Sequence, residues 1–135
     1  MVAQTVKTTT RQYTDLDLSF TKHPVTGDLA IKTGDNAVIV SVRNLIMTNF
    51  YERPFHPELG SGVGGMMFEP VTPITAQRLK REIEDVITNF EPRVRLVDVI
   101  VSAVPDSHSI QVSIKFYINN STTLTDINVF LERTR

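Results

Sequence analysis

The chain has no cysteine. That absence removes disulfides, thiolate metal sites and cysteine nucleophiles together, and it suits a reducing compartment. An excess of either charge is also missing. Fourteen Lys and Arg against fifteen Asp and Glu leave a net charge of −1, and the pI is near 6.3. Nucleic-acid binding normally needs a basic patch on a basic domain, so no nucleic-acid partner is expected. No apolar run approaches the ~20 residues that cross a bilayer. Residues 1–10 lack the apolar stretch of a secretory signal, so no membrane partner is expected either. The 135 residues suit one domain, which buries roughly two-thirds of its unfolded surface and needs no staple.

Residues 1–34 read as an N-terminal arm with one short extended segment, and 35–135 as the folded domain. Residues 1–12 are polar and rich in threonine. From Tyr13 to Phe20, Leu16, Leu18 and Phe20 alternate with Asp15, Asp17 and Ser19, the pattern of an extended segment. His23-Pro24-Val25-Thr26-Gly27-Asp28 is turn material. Asp35 is positioned to cap a helix running to about Asn49, with Val38, Val42, Leu45 and Ile46 on one face. The β-branched run Val38-Ile39-Val40 makes a strand the rival, but the apolar pattern outlasts a typical strand.

Residues 50–72 are rich in proline and glycine, and a connection this long in a small domain is usually functional or disordered. Phe55, Met66, Met67 and Phe68 argue that it packs on something, with a short helical turn near Val63 to Phe68. Thr72 as cap and Pro73 at the first helical position open a second helix. Leu79, Ile83, Val86, Ile87 and Phe90 form its stripe, and Pro92 ends it by steering Glu91 out of the α region. Three alternating segments follow. Their shared faces are Val97, Val99, Val101 and Ala103; then Ile110, Val112, Ile114, Phe116 and Ile118; then Ile127, Val129 and Leu131. The turns are Pro105-Asp106-Ser107-His108 and Asn119-Asn120-Ser121-Thr122. The predicted class is α+β: a three-stranded antiparallel meander with two helices packed on one face.

Little here has the pattern of catalysis. His23, His56 and His108 lack companions at zinc-ligand spacing, so no metal site and no cofactor are expected. Gly60-Ser61-Gly62-Val63-Gly64-Gly65 ends in Met66-Met67, not in the Lys-Ser/Thr of a phosphate loop. Ser61 also lacks the preceding glycine of a nucleophile elbow. These glycines are expected to let the backbone turn tightly or press against a neighbour. Fifteen acids will form some close pairs by chance, so carboxylates alone carry little weight. Glu91-Pro92-Arg93 is sharper. Arg93 either satisfies open carbonyls at the helix end or offers a planar donor fork to a partner.

The order Arg53-Pro54-Phe55-His56-Pro57-Glu58-Leu59-Gly60, Phe68-Glu69-Pro70-Val71-Thr72-Pro73 and Asn89-Phe90-Glu91-Pro92-Arg93-Val94 resembles the contractile-tail baseplate wedge family, the sheath initiators of myophages. Type VI secretion systems contain a related subunit. The resemblance covers about residues 35–132. It implies a non-enzymatic structural subunit of a six-fold virion tail baseplate, assembled in the host cytoplasm. Its partners would be other wedge proteins and tail sheath subunits. It further implies that Glu91, Pro92 and Arg93 anchor the subunit in the wedge core, with Arg53, Pro54, Phe55, Pro57, Glu58 and Gly60 as further partner-binding residues. It also implies that the sheet templates the first sheath ring. An open sheet edge can accept an added strand, and Leu124, Asp126, Asn128 and Phe130 lie on the candidate edge. On this reading Arg93→Ala leaves the domain folded and prevents wedge incorporation. The alternative is a peptidoglycan-cleaving, lysozyme-like tail accessory with Glu58 as its acid.

Overall fold

The computed structural model describes residues 12–17, 19–104, 109–119 and 121–132. The order of elements is β1 (Thr14–Leu16), β2 (Ile31–Thr33), α1 (Asp35–Met47), α2 (Val63–Met66), α3 (Pro73–Phe90), β3 (Val94–Val104), β4 (Ser109–Ile118) and β5 (Leu124–Glu132). The last three strands form an antiparallel meander in the order β3-β4-β5, and β1 and β2 form a separate antiparallel hairpin. The class is the expected α+β. Residues 1–11 of the arm, Leu18, the 105–108 turn and Asn120 of the second turn lie outside the described residues.

Helix α3 follows the signals in its sequence. The Thr72 hydroxyl accepts from the Thr75 N–H at 3.2 Å, and Pro73 fills the first position. Leu79, Ile83, Val86 and Ile87 are buried, each worth about 1.5–3 kcal/mol of transfer free energy. At the other end Glu91 leaves the helix at φ −123°, ψ 78°, as the following proline requires.

Helix α1 forms despite its β-branched run, because Val38, Val42, Leu45 and Ile46 share one buried face. The expected cap is corrected. Gly34, at φ 62°, precedes the helix without a side-chain cap, and Asp35 is the first helical residue. There its charge still complements the positive end of the helix dipole.

One core joins the helices to the meander, with α1 and α3 contributing Val42, Ile46, Leu79 and Ile83, and β4 contributing Val112, Ile114 and Phe116. The face predicted for β3 also needs correction. A bulge interrupts its register with β4 between Leu96 and Asp98. Val94 and Leu96 pack on the core before it and Val99 and Val101 after it, while Val97 is 52% exposed. An extra residue reverses the strand's parity, so a single alternation cannot describe both halves. Strand β5 pairs with β4 over nine residues, Leu124 to Glu132, without a shift.

The hairpin was only half legible. Leu16 and Ile31 are cross-strand partners, and Lys32 pairs with Asp17 at 3.2 Å. The Gly34 N–H donates to the Tyr13 carbonyl at 2.7 Å, which ties the hairpin to the start of α1.

Candidate functional site

Two regions carry the sequence-predicted residues: a polar corner where α3 turns into β3, and the open edge along β5.

At the corner, the break after Phe90 turns the Glu91 side chain inward, where the residue is only 3% exposed. Arg93 donates to both carboxylate oxygens, Nε to Oε1 at 2.6 Å and Nη2 to Oε2 at 2.7 Å. From α1, the Ser41 hydroxyl donates to Oε2 at 2.7 Å. Burial by itself pushes the Glu91 carboxyl up, but the Arg93 fork and the Ser41 hydroxyl outweigh it, and the net shift is downward. Hydrogen bonding to Glu91 raises the Arg93 guanidinium in turn. The guanidinium also lies over the Tyr13 ring, 5.4 Å from its centroid, in cation–π range.

The backbone of the turn is pinned as well. Asn119 donates its side-chain amide to the Pro92 carbonyl at 2.8 Å and its N–H to the Arg93 carbonyl at 2.9 Å. Nε and Nη2 of Arg93 are therefore engaged by Glu91 rather than by helix-end carbonyls. This changes the expectation for Arg93→Ala. Removing the arginine strands a buried carboxylate, and breaking a buried pair costs several kcal/mol, so the variant does not isolate an anchoring role.

The loop motif comes to the same corner in part. A pocket of about 290 Å³ is lined by Asp15, Leu16, Ser41, Arg53, Leu59 and Glu91, among others. It brings together Arg53 and Glu91, which lie in separate sequence motifs, with Asp15 from the hairpin. Phe55 stands away, 96% exposed at φ 71°. Pro54 and Pro57 are exposed too. The loop is closed by the Tyr51 N–H on the Pro57 carbonyl at 2.9 Å. Gly60 is required where it stands. Its φ is 150°, and a Cβ there would lie 2.7 Å from the Asn49 carbonyl oxygen. The next residue, Ser61, donates its hydroxyl to the Ile46 carbonyl at 2.7 Å and its N–H to Thr48 at 2.8 Å. The glycine-rich segment thus presses against the end of α1.

Glu58 is exposed, and its carboxyl is held below the usual range by its own backbone N–H and by His56. A glycosidase acid needs the opposite shift, upward toward neutrality. Among the described residues no three His, Asp or Glu side chains gather as metal ligands, and no helix is long and apolar enough to cross a membrane.

The second region is simpler. Ile127, Val129 and Leu131 of β5 face the core, while Leu124, Asp126, Asn128 and Phe130 are exposed on the other face. The Ser113 hydroxyl holds Asp126 at 2.8 Å. Among the described residues β5 has a neighbouring strand on one side only, so alternate N–H and C=O groups point away from the sheet. The opposite edge, β3, carries the bulge and is strapped to α3 by Lys80 on Asp98 at 2.8 Å.

Nothing in the sequence pattern marks Ser41 or Tyr13 as members of the corner. Ser41 is a lone hydroxyl in an apolar helix, and only the fold brings it to Glu91.

A small α+β scaffold with a self-paired ionic corner and an open strand edge has the form of an assembly subunit. The family description "Baseplate wedge protein gp25" matches residues 32–123, and the chain belongs to that family of structural subunits of contractile tails. The chain is 33% identical over 106 residues to the baseplate wedge protein gp25 of Enterobacteria phage T4, covering 78% of this chain and 80% of that one. A chain in the cryo-EM structure of the six-fold symmetrised anti-feeding prophage baseplate superposes with a TM-score of 0.72 at 28% identity, covering 82% of this chain and 89% of that one. A Geobacter sulfurreducens protein provisionally named a tail lysozyme shares the fold, with a TM-score of 0.65 at 20% identity over 73% of this chain and 89% of its own.

Proposed function

We propose that the protein is a non-catalytic wedge subunit, six copies to a baseplate, that binds neighbouring wedge proteins around the Glu91 corner and starts the sheath by strand addition at β5. The observation that carries the reading is the β5 edge: nine residues in unbroken register with β4, and no second neighbouring strand among the described residues. Main-chain groups on such an edge bond an incoming strand, and the alternating side chains fix its register. The bulge and the Lys80 strap make β3 the worse template, since bulges and charges are devices that block edge pairing. Asp126, Asn128 and Glu132 keep β5 soluble until sheath arrives.

At the corner, the internally paired Glu91 and Arg93 hold the turn in one shape. Arg53, Phe55 and the prolines then present the surface that wedge proteins contact. Assembly takes place in the host cytoplasm before release.

Amide hydrogen exchange tests both contacts in one experiment. The full chain is measured alone, then with purified sheath subunit, then with purified wedge proteins of the same tail. Sheath should slow exchange at alternate β5 amides, and wedge proteins at residues 50–60 and 91–93. Protection by sheath on β3, or nowhere on the meander, would rule out β5 as the template.

A further inference from the structure

An apolar groove of about 650 Å³ opens where the end of α1, the α2 turn and the last residues of β5 meet. Met47, Phe50, Met67, Phe68 and Leu131 are among its walls. Met47, Phe50 and Phe68 are exposed there, although large apolar side chains gathered in one exposed concavity usually mark an interaction site. The groove is continuous with the proposed sheath edge, since Leu131 and Glu132 both line it and end β5.

We infer that this groove is the side-chain pocket that reads the sheath strand, and that it takes a bulky apolar residue of that strand, the one opposite Leu131. The inference rests on the strand-addition reading. Residues directly opposite on adjacent strands share a face of the sheet. Leu131 faces the core and is buried, so its partner on an added strand also points inward. Beyond β5 that inward side chain meets the groove between β5 and the α1–α2 end. In strand addition the main chain supplies affinity and such pockets supply specificity. The occupant is therefore a leucine, methionine or aromatic side chain in an extended sheath segment.

The test uses the full chain and the purified sheath subunit of the same tail. Gly65→Trp plugs the groove. Gly65 is among its lining residues, and a Cβ added there meets nothing within 4 Å. Met47→Gln makes one wall polar at similar volume. Both variants should melt like the parent. Both should bind sheath tenfold to about a hundredfold more weakly, the loss expected when one large apolar side chain is left unburied.

If sheath protects β5 amides and both variants bind as the parent does, the pocket is overturned while the edge stands. If sheath does not protect β5 in the parent, the edge reading falls and takes the pocket with it. Two further results would also overturn it by assigning the groove another occupant. One is tighter sheath binding after removal of residues 1–11 with Gly65→Trp neutral. The other is self-association that Gly65→Trp abolishes without affecting sheath.

Discussion

At the Glu91 corner the polar groups turn toward one another, and along β5 they turn outward. Glu91, Arg93, Ser41 and Asn119 close a network within the chain. Alternate main-chain groups of β5 point away from the sheet with no second strand beside them among the described residues, and side chains such as Phe130 are 60% exposed. The difference separates two meanings of a notable residue. The corner is conspicuous in the sequence, and its ion pair is made within the chain. The edge is bland in the sequence, yet among the described residues it has no second strand beside it. A subunit of an assembly needs both: a rigid corner that fixes the angle between α3 and the meander, and an unfilled edge on the meander so held.

The sharpest way to break this comparison is Arg93→Ala. Breaking a fully buried pair costs ~3–5 kcal/mol, and the Arg93 side chain is 25% exposed, so the lower end applies. A loss of about 3 kcal/mol should lower Tm by roughly 10 °C. The combined change Glu91→Gln with Arg93→Met should recover most of it, because no uncompensated charge remains. Parent-like melting of Arg93→Ala would show that the corner is free for a partner after all.

Acid sharpens the same contrast with a smaller effect. The Glu91 carboxyl titrates below its ordinary value of 4.5. A depressed pKa in the folded state means the unfolded chain binds the proton first as pH falls. The contribution of Glu91 is therefore whole above about pH 4.5 and is lost as pH drops through the depressed folded value. Asp17, Asp98 and Glu58 are shifted the same way, so the informative quantity is a difference. Urea midpoints of the parent and of Glu91→Gln should converge as pH is lowered from about 6 to about 3.5. Equal spacing at both values would mean the carboxylate is not held ionised by Arg93.

How much of this was legible follows from where each signal resides. Thr72, Pro73 and Pro92 bound α3 by local stereochemistry, and local rules read them correctly. The buried faces of β4 and β5 repeat every second residue, so alternation found them. Alternation failed in β3, because Leu96 and Val97 are both apolar and only the register decides which turns inward: Leu96 pairs with Phe116, Asp98 with Lys115, and Val97 between them has no partner on β4. The β2 strand Ile31–Thr33 is three residues long with an exposed isoleucine, too little pattern for any periodicity to reveal. The Glu91–Arg93 bond joins residues two apart, yet the sequence left two roles open for the arginine and showed neither the bond nor its burial. Whether an arginine serves its neighbour or a partner depends on burial, and Ser41 on another helix completes that burial.

The smallest expected effect is the most telling for the edge. Phe130→Thr replaces an exposed aromatic on the solvent face of β5 with a β-branched residue that strands accept. A surface change away from cores, caps and ion pairs alters stability by no more than ~0.5 kcal/mol, so denaturation midpoints should hardly move. Cross-strand neighbours do interact, however, and an aromatic beside a newly added strand would contribute ~0.2–1 kcal/mol to that pairing. Sheath affinity should then fall by a few-fold at unchanged stability. A destabilisation above ~1 kcal/mol would instead place Phe130 in a packed layer of the free protein. The β5 face would then be committed internally, as the Glu91 corner is, and the edge would lose its claim to be the part of the molecule left open for assembly.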